Sequence, residues 1–245
     1  MKKRTGIITG AGKGIGFSTT KYMLSKNYRI IAITKTNTSK LLKLKKKYKD
    51  QIIVIIKDLS NINYTTKLIN KLFLEYEITF LVNNAGKRSR SNIVDLDENQ
   101  INNIMNINFF SPFNITREYL KNCNKKYSHS IVSITSIVGP RGFLDLSNYA
   151  ASKGALESSM RSLAIEWAKK NIRINCIAPG FINTSFARDF KTKRKKLYNW
   201  TLQKTPMNRW GEAEEVSSVI EFLISDLSSY ITGTTIYVDG GWTAT

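Results

Sequence analysis

GIITGAGKGIG, residues 6–16, runs from a short apolar stretch into glycines at positions 10, 12, 14 and 16. The spacing does not fit GxGxxG, because Ile15 and Phe17 stand where a third glycine is required. It does fit TGxxxGxG, from Thr9 to Gly16, which performs the same work. Glycines let the backbone turn sharply and approach a pyrophosphate, while the helix that follows presents its free amide donors to the anion. A glycine loop gains weight only when it stands between a first strand and a first helix.

Both neighbours are present. GIIT (6–9), RIIAIT (29–34), IIVII (52–56), TFLV (79–82), SIVSIT (130–135), RINCIA (173–178) and TIYVD (235–239) read as strands. Several are continuously apolar, as strands buried on both faces of a parallel sheet are. Helical patterns lie between them near 14–26, 38–49, 61–76, 98–122, 149–170 and 212–225. This alternation predicts an α/β chain: one doubly wound Rossmann domain over 1–245, with a seven-stranded parallel sheet and helices on both faces. Residues 137–148 and 180–210 interrupt the rhythm. Long loops at the carboxyl ends of parallel strands form the ligand side of such a sheet, so 180–210 is the expected substrate loop.

Composition narrows the chemistry. The chain has 245 residues, 42% of them hydrophobic, enough to bury a full core. No apolar stretch is long enough to span a bilayer. The start MKKRTGIITGAGKGIG imitates a signal peptide, but glycines cut its apolar run, so the cytoplasm is expected. Cys123 and Cys176 share no ligand spacing and His129 is the only histidine. That argues against a metal site, His-based dehydrogenases and Ser-His-Asp hydrolysis together. The net charge of +20 would attract nucleic acid or acidic partners. Asn, Ile and Lys are abundant together, as AT-biased codons give, so the charge reads as compositional background. A basic nucleic-acid-binding protein on the same fold is kept as an alternative.

In SNYAASKGAL (147–156), Tyr149 and Lys153 lie one helical turn apart and share a face. Spacing alone does not separate acid–base chemistry from decoration; a cofactor, a partner hydroxyl and a pocket are needed. The rest of the chain supplies candidates in order. Asp58-Leu59 follow the third strand, NNAG (83–86) the fourth, and INF, with Asn108, falls in the helix over 98–122. Ser136 follows the fifth strand, YAASK spans 149–153, PG (179–180) follows the sixth strand and YVDGG (237–241) comes near the end. With these motifs the chain resembles the short-chain dehydrogenase/reductase family over nearly its whole length.

The resemblance implies a carbonyl–alcohol interconversion with hydride exchanged with a nicotinamide. Tyr149 is then the general acid/base, and Lys153 favours its phenolate and holds the nicotinamide ribose. Ser136 hydrogen-bonds the substrate oxygen, with Ser133 and Thr135 as nearby rivals. Asn108 keeps a water beside Lys153, with Asn106 as its rival. The implied cofactor site comprises Gly10, Gly12, Lys13, Gly14, Ile15 and Gly16 in the loop, then Lys35, Asp58, Leu59, Asn84, Ala85 and Gly86. Tyr149, Lys153, Pro179, Gly180, Ile182 and Thr184 complete it. Asp239, the closing glycines and His129 read as structural.

An NAD site places an acid at the end of the second strand; ITKT (33–36) has none, and Lys35 with Lys13 offers cations for a 2′-phosphate. NADP(H) is therefore the expected coenzyme. PGFINT (179–184), NRWGEAEEV (208–216) and ITGTTIYVDGG (231–241) look most like 3-oxoacyl-[acyl-carrier-protein] reductases. An NADP-linked dehydrogenase of a sugar or small alcohol is the alternative. Phe186, Phe190, Tyr198, Trp200 and Leu202 either line an acyl pocket, with Lys191–Lys196 meeting an acidic acyl carrier protein, or form a lid with a solvated edge. The resemblance also implies a homotetramer, and Leu163, Ile165 and Trp167 spread apolar surface over more than one side of a helix.

Overall fold

The computed structural model describes residues 3–36, 39–184 and 190–245. Strands β1 (Thr5–Thr9), β2 (Arg29–Thr34), β3 (Ile52–Ile56), β4 (Ile78–Asn83), β5 (His129–Ile134), β6 (Ile172–Pro179) and β7 (Thr235–Val238) form one sheet. Its order is β3-β2-β1-β4-β5-β6-β7, and every pairing is parallel. The order reverses between β1 and β4, where a doubly wound sheet opens its ligand crevice.

Alternation along each strand divides the core in two. Ile7, Ile31 and Ile33 face one cluster, with α3 (Ile62–Glu75), α5 (Ser111–Asn122) and α6 (Ser147–Trp167). Ile8, Ile30 and Ala32 face the other, with α1 (Gly14–Ser25), α2 (Ser39–Tyr48) and α8 (Ala213–Ile224). Helices thus cover both faces, as the apolar strands require. At Gly6 the strand has no room for a side chain, because a Cβ there would run into the Phe80 ring.

Two expectations change. The single helix over 98–122 is α4 (Glu98–Met105), a π turn over Asn106–Phe110, and α5. Residues 180–210 are not all loop: α7 (Lys195–Lys204) forms within them. Ile182–Asn183 pairs with Gly211–Glu212 in a two-residue parallel ladder that joins the two ends of this segment. Leu163 and Trp167 both pack into the core of their own subunit, leaving Ile165 79% exposed.

The histidine is structural, as read. His129 Nε2 donates to the Asn124 carbonyl at 2.9 Å, which leaves Nδ1 to accept from the Tyr119 hydroxyl at 2.9 Å. Cys123 and Cys176 are buried free thiols. Among the described residues no helix is long and apolar enough to cross a membrane.

Candidate active site

The glycine loop is held open at the switch point by Thr9 and Asn84. The Thr9 hydroxyl accepts from the backbone N–H groups of Asn84 and Ala85, both at 3.0 Å. The Asn84 amide donates back to the Thr9 carbonyl at 3.0 Å and the Gly10 carbonyl at 3.3 Å. Gly10 adopts φ +65°, and a Cβ on Gly16 would collide with the Gly10 carbonyl and the Asn84 amide. The result is a glycine-lined cradle at the N-terminus of α1, with exposed Lys13 at its N-cap. Such a cradle fits a dinucleotide pyrophosphate.

From this cradle a cleft of about 270 Å³ runs across the carboxyl ends of β4, β5 and β6. Ile15, Asn84, Gly86, Pro179, Gly180, Ile182 and Thr184 line it, and so do Ser136, Tyr149 and Lys153. Half of the site residues singled out in the sequence therefore share one cavity; the loop glycines, Lys13, Ala85 and Asn108 do not line it. Asp58 and Lys35 meet farther along the strand ends, where Lys35 Nζ lies 2.7 Å from Asp58 Oδ2. That hydrogen bond holds the Asp58 carboxyl down at about 2. Leu59 is a core residue, and its carbonyl accepts from the Ser111 hydroxyl at 2.8 Å.

Tyr149 and Lys153 project from the first turns of α6, and Ser136 follows β5. The Ser136 hydroxyl accepts from the Val138 N–H at 3.2 Å, and its interaction with the Tyr149 phenol favours the phenolate. Its rivals are otherwise engaged: Ser133 accepts from the Asn83 amide and Thr135 donates to the Ile177 carbonyl. The Lys153 ammonium donates to the Ile134 carbonyl at 2.8 Å, and burial lowers its pKa to about 8. Burial raises the Tyr149 phenol above its ordinary value, opposed by the Arg88 guanidinium and the Ser136 hydroxyl. Lys153, to which the family resemblance assigns the task of favouring the phenolate, lines the same cleft.

Asn108 sits inside the π turn with no exposed surface. Its Oδ1 accepts from the Lys87 N–H at 2.8 Å, while its amide donates to the Lys87 carbonyl at 2.9 Å and the Ser152 hydroxyl at 3.0 Å. Both amide hydrogens are used, and the side chain clamps the loop after β4.

Among the cleft residues that sequence reasoning missed are Lys87, Arg88, Phe181 and Trp210. The signal for the first two was KRSRS (87–91), basic and directly after NNAG at a strand's carboxyl end. The expected aromatic lining is mostly one layer back. Phe190, Tyr198 and Leu202 pack with Trp210, and Trp200 meets Trp242 edge-on at 5.4 Å. Phe186 lies outside the described residues. Lys191–Lys196 form an exposed edge.

Comparison with known proteins places these features in context. The family described as enoyl-(acyl carrier protein) reductase matches residues 10–243. The 3-oxoacyl-[acyl-carrier-protein] reductase of Thermotoga maritima is 34% identical over 238 residues, covering 96% of each chain. Its counterpart from Chlamydia trachomatis is 34% identical over 245 residues, covering 98% of each. Among solved structures, 4-hydroxyisoleucine dehydrogenase complexed with NADH superposes with a TM-score of 0.93 at 33% identity, over 99% of this chain and 100% of that one. A protein described as an NAD(P)-dependent gluconate 5-dehydrogenase from Beutenbergia cavernae, with NADP bound, gives 0.93 at 26% identity, over 99% and 97%.

Proposed function

The chain belongs to the short-chain dehydrogenase/reductase family, and on that ground we propose that it interconverts a carbonyl and a secondary alcohol with NADP(H), its substrate a 3-oxoacyl group on acyl carrier protein. One observation carries the reading: Tyr149, Ser136 and Lys153 open into a single cleft that reaches the glycine loop at Ile15. The nicotinamide, when bound, supplies or accepts the hydride. The protein does the rest. Ser136 orients the substrate oxygen and steadies its developing charge. Tyr149 gives its phenolic proton to that oxygen in reduction and takes it back in oxidation. Lys153, fixed by the Ile134 carbonyl, is placed to hold the nicotinamide ribose. Asn108 fixes the loop after β4 by bonding both backbone groups of Lys87.

Lys35 is the proposed partner of the 2′-phosphate, which must draw it from Asp58. The relatives' printed substrates support the acyl reading, and Phe181 with Trp210 provides an apolar wall in the cleft. A second reading, a dehydrogenase of a sugar acid or small hydroxy acid, draws on the likeness to the gluconate and 4-hydroxyisoleucine enzymes and on the cationic Arg88 in the same cleft. We also propose a cytoplasmic homotetramer. The deciding experiment follows NADPH oxidation by the purified protein with acetoacetyl thioesters, small oxo acids, oxidised sugars and plain ketones. Turnover of the thioester well above the others is the expected result; preference for a free oxo acid or sugar acid replaces it with the second reading.

A further inference from the structure

Lys153 is tied down beside the Ile134 carbonyl, which raises the question of what else faces the Tyr149 phenol. Two side chains from the loop after β4, Lys87 and Arg88, line the same cleft as Tyr149, Ser136 and Lys153. The loop carrying them is not free to swing, because Asn108 holds Lys87 by both its N–H and its carbonyl. It is braced again beyond Arg88, where Ser91 N–H donates to the Asp145 carbonyl at 3.0 Å and Arg90 to the Leu144 carbonyl at 2.7 Å. A guanidinium there stays charged at every pH the protein meets.

We propose that Arg88 is a positioning residue for proton transfer, a second fixed cation that stabilises the phenolate left on Tyr149 when the substrate oxygen takes its proton. The inference rests on the reading of Tyr149 as the proton carrier. In reduction, hydride bonds to the carbonyl carbon, the C=O π pair moves to oxygen, and that oxygen takes the Tyr149 proton. The phenolate that remains is the charge Arg88 meets. Lys153 lines the same cleft as the first cation, its pKa lowered to about 8 by burial. Arg90 and Arg194 act on Arg88 as like charges, and Asp145 sits 4.0 Å from Arg90. The Arg88 guanidinium also pulls the phenol's ionisation down, against burial.

The test needs no knowledge of the substrate. Ionisation of Tyr149 is followed by ultraviolet difference titration of the full chain against the same background carrying Tyr149→Phe. Arg88→Met should raise the Tyr149 midpoint by about half a pH unit or more, and Arg88→Lys should keep it near the parent value. Arg88→Gln replaces the methionine variant if that one does not fold, as judged by circular dichroism. An unmoved midpoint on loss of the charge overturns the proposal, as does a lysine variant displaced as far as the methionine one. Lower turnover with an unmoved midpoint assigns Arg88 to substrate binding instead, and also overturns it. Failure of the carbonyl reductase reading shows separately, as turnover that survives Tyr149→Phe.

Discussion

At Tyr149 a single oxygen carries the chemistry, so its removal is the sharpest test. Tyr149→Phe should lower kcat for carbonyl reduction by about 10²–10⁴-fold, the usual worth of a positioned acid. NADPH binding, read by fluorescence titration, should persist. Lys153 makes a second prediction with a definite sign. Burial brings its pKa to about 8, so the ammonium is charged below that pH and neutral above it. The kcat/KM for reduction should be level below about 8 and fall above it, and Lys153→Arg should move the fall to higher pH because a guanidinium does not discharge. A profile that rises through this range would contradict the role given to the charge. Asn108→Ala would remove both hydrogen bonds to the Lys87 backbone, a loss of about 0.5–1.5 kcal/mol for each bond. Urea unfolding should report it, together with reduced turnover as the loop after β4 loosens.

Elements explain why some of this could be read from the chain and some not. The strands were legible because a parallel sheet covered on both faces demands unbroken apolar runs, and IIVII or RIIAIT has no other use. Tyr149 and Lys153 were legible because helical spacing alone brings them to one face. The π turn was not, since one extra residue in a helical turn barely alters an apolar pattern that drifts anyway. In α7, KKLYNWTLQK hides a short apolar face behind lysines and offers no side-chain cap. Arg88 was hidden for a different reason: its importance depends on where a loop bends, and no local periodicity encodes that. The ends of β2 and β3 show the same limit. The absent acid after β2 was readable, the Lys35–Asp58 contact at 2.7 Å was not. Lys35→Asp would set two carboxylates together where a 2′-phosphate should lie. It should narrow or reverse the preference for NADPH over NADH, and equal dissociation constants for both in the unmutated protein would already overturn the assignment.

For the whole molecule the open matter is self-association. Ile165 stands 79% exposed on the helix that carries Tyr149, and a subunit surface is the natural place to bury it. Light scattering in moderate salt should give a tetramer, and Ile165→Lys should shift it toward smaller species. With a net charge of +20 the assembly should also weaken as salt is withdrawn. The ladder of Ile182–Asn183 with Gly211–Glu212 has a consequence on this scale too. It fastens both ends of the segment that carries α7 at one spot beside the cleft, so the chain between them behaves as a closed ring. Ring closure depends only weakly on contour length, about 0.6 kcal/mol for each doubling. The segment is therefore an exchangeable cassette. Its length and composition can be rewritten, by evolution or by design, to admit a different substrate while the sheet and its proton carrier beneath stay as they are.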